Sequence, residues 1–91
     1  MALSELADPF EIVASALSCA RESLSMDSVM YRDHGWDSFG HIRIIMALEA
    51  AYRISIPPSD IEKYTSMSAI KELHAGLMRE NNRLPNNQGQ K

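Results

Sequence analysis

A small all-α bundle of four helices, with a long loop between the first and the second, is the fold the sequence predicts, and three observations predict it. Apolar residues recur at steps of three and four in three separate segments, which is the spacing that lines one face of a helix. Each of these segments opens on a side chain able to cap a helix, and no stretch alternates apolar with polar as a half-buried strand would. Helices that each carry one apolar stripe bury it by packing on one another, so a bundle is the natural architecture.

The first helix is expected to start at Asp8-Pro9, where a capping carboxylate precedes a proline in the first turn and Glu11 follows three residues after the cap. Phe10, Val13, Leu17, Ala20 and Leu24 then share a stripe, so this helix is expected to reach about Leu24. The segment 25–35 is polar and less periodic, apart from Val29, Met30 and Tyr31, which are expected to tuck the loop against the core; Gly35 closes it. Asp37 or Ser38 caps the second helix, which extends through Ile42, Ile44, Ile45, Leu48 and Tyr52 to about Arg53. Pro57-Pro58 ends any continuation, because each proline lacks an amide donor and restricts its predecessor. A short third helix is expected over 59–64, and Thr65 or Ser66 caps a last one carrying Met67, Ile70, Leu73 and Leu77. Residues 3–80 are assigned to one domain, and 81–91, rich in Asn and Gln, to a disordered tail.

Composition narrows the function. A chain of 91 residues with 45% hydrophobic and 23% charged residues folds as one domain, with a core too modest for a deep active site. A net charge of −3 without a basic cluster excludes general attraction to nucleic acid. Cys19 is the single cysteine, read as a core residue, so no internal disulfide forms and a cytoplasmic setting fits. The N-terminus lacks a signal peptide's basic start and apolar run, and no apolar stretch approaches the ~20 residues that span a bilayer, so the written chain is expected to be the mature one.

Ser38, Asp37, His34 and His41 include the residue types of a nucleophilic triad, but Asp37 adjoins Ser38 and no Gly-x-Ser-x-Gly elbow is present. Cys19, His34, His41 and His74 are too widely spaced to form a recognised metal-ligand pair. The expectation is therefore a protein that is neither an enzyme nor a metal binder.

Asp37-Ser38-Phe39 opening a helix, followed by Ile44-Ile45-Met46-Ala47-Leu48-Glu49 and by the exit Tyr52-Arg53-Ile54-Ser55-Ile56-Pro57, resembles the acyl carrier protein family. Tyr64-Thr65-Ser66-Met67 and Ile70 match that family's final helix. The resemblance covers about 6–77 and is strongest over 36–57. A bare Asp-Ser-bulky tripeptide recurs by chance; the apolar helix, Glu49 and the Ile-x-Ile-Pro exit at these distances make the match specific.

The resemblance implies that a phosphopantetheinyl transferase uses coenzyme A to place a covalent 4′-phosphopantetheine on Ser38. The protein would then carry acyl or aminoacyl cargo as a thioester, as a monomer serving a loading enzyme and a downstream acyltransferase or synthase. The residue chemistry agrees: a serine at a helix start holds its hydroxyl outside the packed turns, and the free amides and positive dipole end favour an attached phosphodiester. The alternative function is a non-modified helical interaction module of the same fold.

A helical projection places His41, Ile44, Ile45, Leu48, Ala51 and Tyr52 on a core side, and Phe39, Ile42, Arg43, Met46, Glu49, Ala50 and Arg53 opposite. An outward strip of Phe39, Ile42 and Met46 beside Ser38 suits transient docking; otherwise these side chains pack beneath the long loop. Arg43 and Glu49 are assigned to partner selection, Arg43 standing where familiar fatty-acid carriers have acids. Trp36 resembles discrete carriers of specialised pathways that begin this motif with Trp-Asp-Ser; its indole either contacts the arm or cargo, or braces the loop. His41 is expected to be a satisfied structural histidine, bonded to a loop carbonyl or else to a phosphate oxygen.

Overall fold

The computed structural model of the protein describes residues 6–32 and 35–83, with the backbone alone for 81–83. Three α-helices, α1 (Pro9–Leu17), α2 (Ser38–Tyr52) and α3 (Met67–Arg83), alternate with two 3-10 helices, Arg21–Ser23 and Pro58–Tyr64. The expected third helix is thus present in 3-10 form, and the all-α bundle with a long first loop is borne out.

Each α-helix opens as its capping residue dictates. The Asp8 carboxylate accepts the Phe10 amide at 3.0 Å, the Asp37 carboxylate the Gly40 amide at 2.8 Å, and the Ser66 hydroxyl the Ala69 amide at 3.1 Å. Asp37 and Ser66, rather than Ser38 and Thr65, are therefore the caps. Glu11 stands 3.4 Å from Arg21, which also bonds Asp8. Partial burial pushes the Asp8 carboxyl up, but the bonds from Arg21 and Phe10 and the charges of Arg21 and Lys71 outweigh it and hold it below its usual value.

α1 is shorter than its apolar pattern suggests. Ser18 turns left-handed at φ 57°, and the chain closes with Cys19 donating its amide to the Ala14 carbonyl at 3.0 Å. Ala20 is consequently exposed, whereas Leu24 is buried from the loop and not from a helix. Cys19 is only partly buried against the core. At the other end, α3 continues to Arg83, three residues into the segment expected as tail; residues 84–91 lie outside the described residues.

The core gathers Val13 and Leu17 from α1, Ile44, Ile45, Leu48 and Tyr52 from α2, Met67 and Ile70 from α3, and Leu24, Trp36 and Ile56 from the connections. Ala51, expected inside, is exposed: with Ala47, Ala50, Ser15 and Glu11 it rims a shallow depression between α1 and α2 that the small alanine and serine side chains leave open. The long loop is fastened to the start of α3 by Met30 donating to the Thr65 carbonyl at 2.9 Å and Met67 to that of Ser28 at 3.0 Å. Val29 and Met30 are half-buried as expected, but Tyr31 is exposed.

Tyr52 fixes the segment before α1, its hydroxyl donating to the Ala7 carbonyl at 2.9 Å. Burial of the ring, reinforced by the Asp8 charge, pushes the phenol from 10.0 up to about 12. Because the folded state favours the neutral phenol, this contribution to stability is complete below the unfolded value near pH ~10 and is lost as pH rises through the folded one. Urea midpoints measured against pH are expected to fall across that alkaline window, and Tyr52→Phe to remove this part of the fall.

Candidate functional site

Ser38 is the first residue of α2, directly after the Asp37 cap, and its hydroxyl is exposed. The cap geometry follows from a tight turn. Gly35 has φ 76°, a conformation that glycine adopts without steric cost, and its carbonyl accepts the Asp37 amide at 2.8 Å. The Asp37 carboxylate is occupied as the helix cap, accepting the Gly40 amide. The first two amides of α2, on Ser38 and Phe39, have no intrahelical acceptor, so a group attached to Ser38 meets free donors and the positive end of a helix 15 residues long.

Gly40 permits this turn. A Cβ at Gly40 would stand 2.5 Å from the Gly35 carbonyl oxygen and 2.8 Å from a methyl of Leu17, so loop, α1 and α2 meet where no side chain fits. Nothing in the sequence pattern singled out Gly40, since a glycine within a helix has no periodic signature.

Trp36 is 1% exposed, and its indole N–H donates to His41 Nδ1 at 3.1 Å. With Nδ1 accepting, His41 carries its proton on Nε2, which donates to the Ile61 carbonyl at 2.8 Å. This relay ties the loop, α2 and the Pro58–Tyr64 3-10 helix together, so Trp36 braces the fold and offers no open face to an arm on Ser38. His41 is the structural histidine expected, bonded to a carbonyl. Both of its ring nitrogens are taken and the Asp37 carboxylate is a cap, so neither is placed to activate Ser38 as a triad would require. His34 lies outside the described residues, and His74 lies beside the Tyr52 ring at 6.0 Å between centroids.

The outward strip is present. Phe39, Ile42 and Met46 are 78%, 47% and 62% exposed, so they do not pack beneath the loop. They leave an apolar band running down α2 from the serine. The two charges assigned to partner selection are engaged within the fold. Arg43 Nε donates to the Ala16 carbonyl at 2.8 Å, satisfying a terminal acceptor of α1 with a cation at the negative end of its dipole. Glu49 is half-buried, and its carboxylate accepts the Ile56 amide at 2.8 Å, fastening the chain that leaves α2. Arg43 nevertheless remains exposed, whereas Glu49 is chiefly a structural acceptor. Side chains that reach a distant backbone group are not visible in helical spacing.

Comparison with known proteins agrees with this arrangement. The family described as "Phosphopantetheine attachment site" matches residues 10–73, most of the chain. The acyl carrier protein of Campylobacter fetus subsp. fetus is 34% identical over 67 residues, covering 74% of this chain and 87% of that protein. That of Clostridium perfringens is 34% identical over 62 residues, covering 68% and 82%. That of Campylobacter hominis is 35% identical over 60 residues, covering 66% and 76%. With a matching fold, a serine at the mouth of α2 and similarity across most of both chains, this protein belongs to the acyl carrier protein family, whose members bear 4′-phosphopantetheine as a covalent prosthetic group.

Proposed function

We propose that Ser38 is the residue that receives the arm from coenzyme A through a phosphopantetheinyl transferase, and that the chain itself catalyses nothing. The observation carrying this is an exposed hydroxyl at the first position of α2, within the matched region and beside an outward apolar strip. The residues fit the group: Ser38 would supply the ester oxygen, the amides of Ser38 and Phe39 at the start of α2 would offer donors to its phosphate, and the Asp37 carboxylate is occupied as the cap on Gly40. When bound, the arm's terminal thiol holds acyl or aminoacyl cargo as a thioester. Phe39, Ile42 and Met46 give a partner an apolar surface to bury, and Arg43 adds a positive charge at its edge. A loading enzyme and a downstream acyltransferase or synthase are the partners this surface serves, with the monomer as the working unit. Among the described residues no helix is long and apolar enough to cross a membrane, which accords with work in the cytoplasm.

The test is incubation with coenzyme A and a promiscuous phosphopantetheinyl transferase, followed by intact-protein mass measurement. Wild type is expected to gain one phosphopantetheinyl group and Ser38→Ala none. An unmodified wild type with several transferases contradicts the assignment.

A further inference from the structure

Tyr31 has a costly backbone arrangement for a side chain that lies outside the core. It is 73% exposed, yet its backbone has φ 70°, a left-handed conformation that a bulky residue enters only when its surroundings hold it there. Its neighbours do hold it. The Tyr31 amide donates to the Trp36 carbonyl, the Arg32 amide to that of Val29 at 3.3 Å, and the Arg32 guanidinium to that of Asp27 at 3.0 Å. Through Trp36 this segment is joined to His41 and the core. The result is that the Tyr31 phenol stands 2.7 Å from Ser38 Oγ.

We infer that Tyr31 anchors the root of the arm: its phenol hydrogen-bonds Ser38 Oγ before modification and donates to a phosphodiester oxygen afterwards. This rests on the reading of Ser38 as the attachment residue. In the transfer, Ser38 Oγ bonds to the pantetheine-bearing phosphorus of coenzyme A. The phosphoanhydride bond to adenosine 3′,5′-bisphosphate breaks, and the serine proton leaves to the transferase or solvent. Oγ then has no hydrogen to donate, so the phenol is the donor. The bridging ester oxygen is a poor acceptor, while the non-bridging oxygens one bond further on share a negative charge and accept a stronger, charge-assisted bond. Among the described residues of the loop, the Tyr31 phenol is the donor that stands within hydrogen-bonding distance of Ser38 Oγ, while the Arg32 guanidinium reaches back to the Asp27 carbonyl. Held between loop and helix, the first segment of the arm leaves the protein in one preferred direction.

Phosphorus NMR of the modified protein tests this, because it reads the phosphodiester itself and not the stability of the loop. Intact mass and peptide mapping first establish one arm on Ser38 in wild type and in Tyr31→Phe, which keeps the ring. The wild-type phosphorus resonance is expected to be displaced and broadened relative to the same protein unfolded in urea, and Tyr31→Phe to move it back toward the unfolded value and narrow it. Identical native resonances in wild type and Tyr31→Phe overturn the anchor while leaving Ser38 as the attachment residue, and so does a native wild-type resonance equal to the unfolded one. Absence of the arm from Ser38 overturns both readings.

Discussion

Leu48→Ala is expected to destabilise the protein by about 2 to 5 kcal/mol, while Met46→Ala, two residues away on the same helix, costs about 0.5 kcal/mol or less. Leu48 is fully buried between α1 and the rest of the core, so truncation loses its transfer free energy and leaves a cavity that surrounding side chains only partly fill. Met46 stands on the outward strip, 62% exposed, where truncation removes little packing. A domain of this size has about 5 to 15 kcal/mol in hand, so the first change removes a large fraction of its stability and the second is barely visible. Denaturant titration of the three proteins gives the comparison; equal midpoint shifts for the two variants contradict the placement of the α2 faces.

The second large effect is expected at Gly40, where two terms oppose each other. Alanine is the better helix former, by about 0.5 to 1 kcal/mol, and on that ground alone Gly40→Ala stabilises α2. Its methyl would, however, stand 2.5 Å from the Gly35 carbonyl oxygen and 2.8 Å from a Leu17 methyl. Leu17 can change rotamer, but the Gly35 carbonyl is held by the Asp37 amide and cannot retreat without opening the turn that sets the cap. Overpacking of this kind costs about 1 to 3 kcal/mol, so the net expectation is a loss of stability. The displaced turn carries Ser38 with it, and phosphopantetheinyl transfer is expected to slow in parallel. A rise in unfolding midpoint for Gly40→Ala contradicts the close approach of loop and helix.

Much of the fold was legible because its signals are local. Asp8 and Asp37 cap the helices they precede, Pro57-Pro58 closes the exit from α2, and the spacing along α2 separates Ile44, Ile45 and Leu48 from Phe39, Ile42 and Met46. What escaped depends on residues distant in sequence or on unusual backbone. The stripe from Phe10 to Leu24 reads as one helix, but Ser18 adopts a left-handed conformation without the glycine that usually announces one. Arg43 and Glu49 read as free surface charges because spacing fixes which face a residue occupies and not how far its side chain reaches; one finds the Ala16 carbonyl, the other the Ile56 amide. Trp36 and Tyr31 lie in an aperiodic loop, where no pattern tells which aromatic is buried. The structure puts the indole inside against His41 and the phenol outside against Ser38.

The central claim, that this chain works as a carrier through Ser38, is tested most directly by locating the arm after enzymatic transfer from coenzyme A. The modified protein is digested, the fragment spanning Trp36, Asp37, Ser38 and Phe39 is sequenced by tandem mass spectrometry, and the position of the added phosphopantetheine is read from the fragment series. The account predicts a single addition, on Ser38. An addition on any other residue, such as Ser25 or Ser55, or a fragment that stays unmodified after treatment with several transferases, would contradict it.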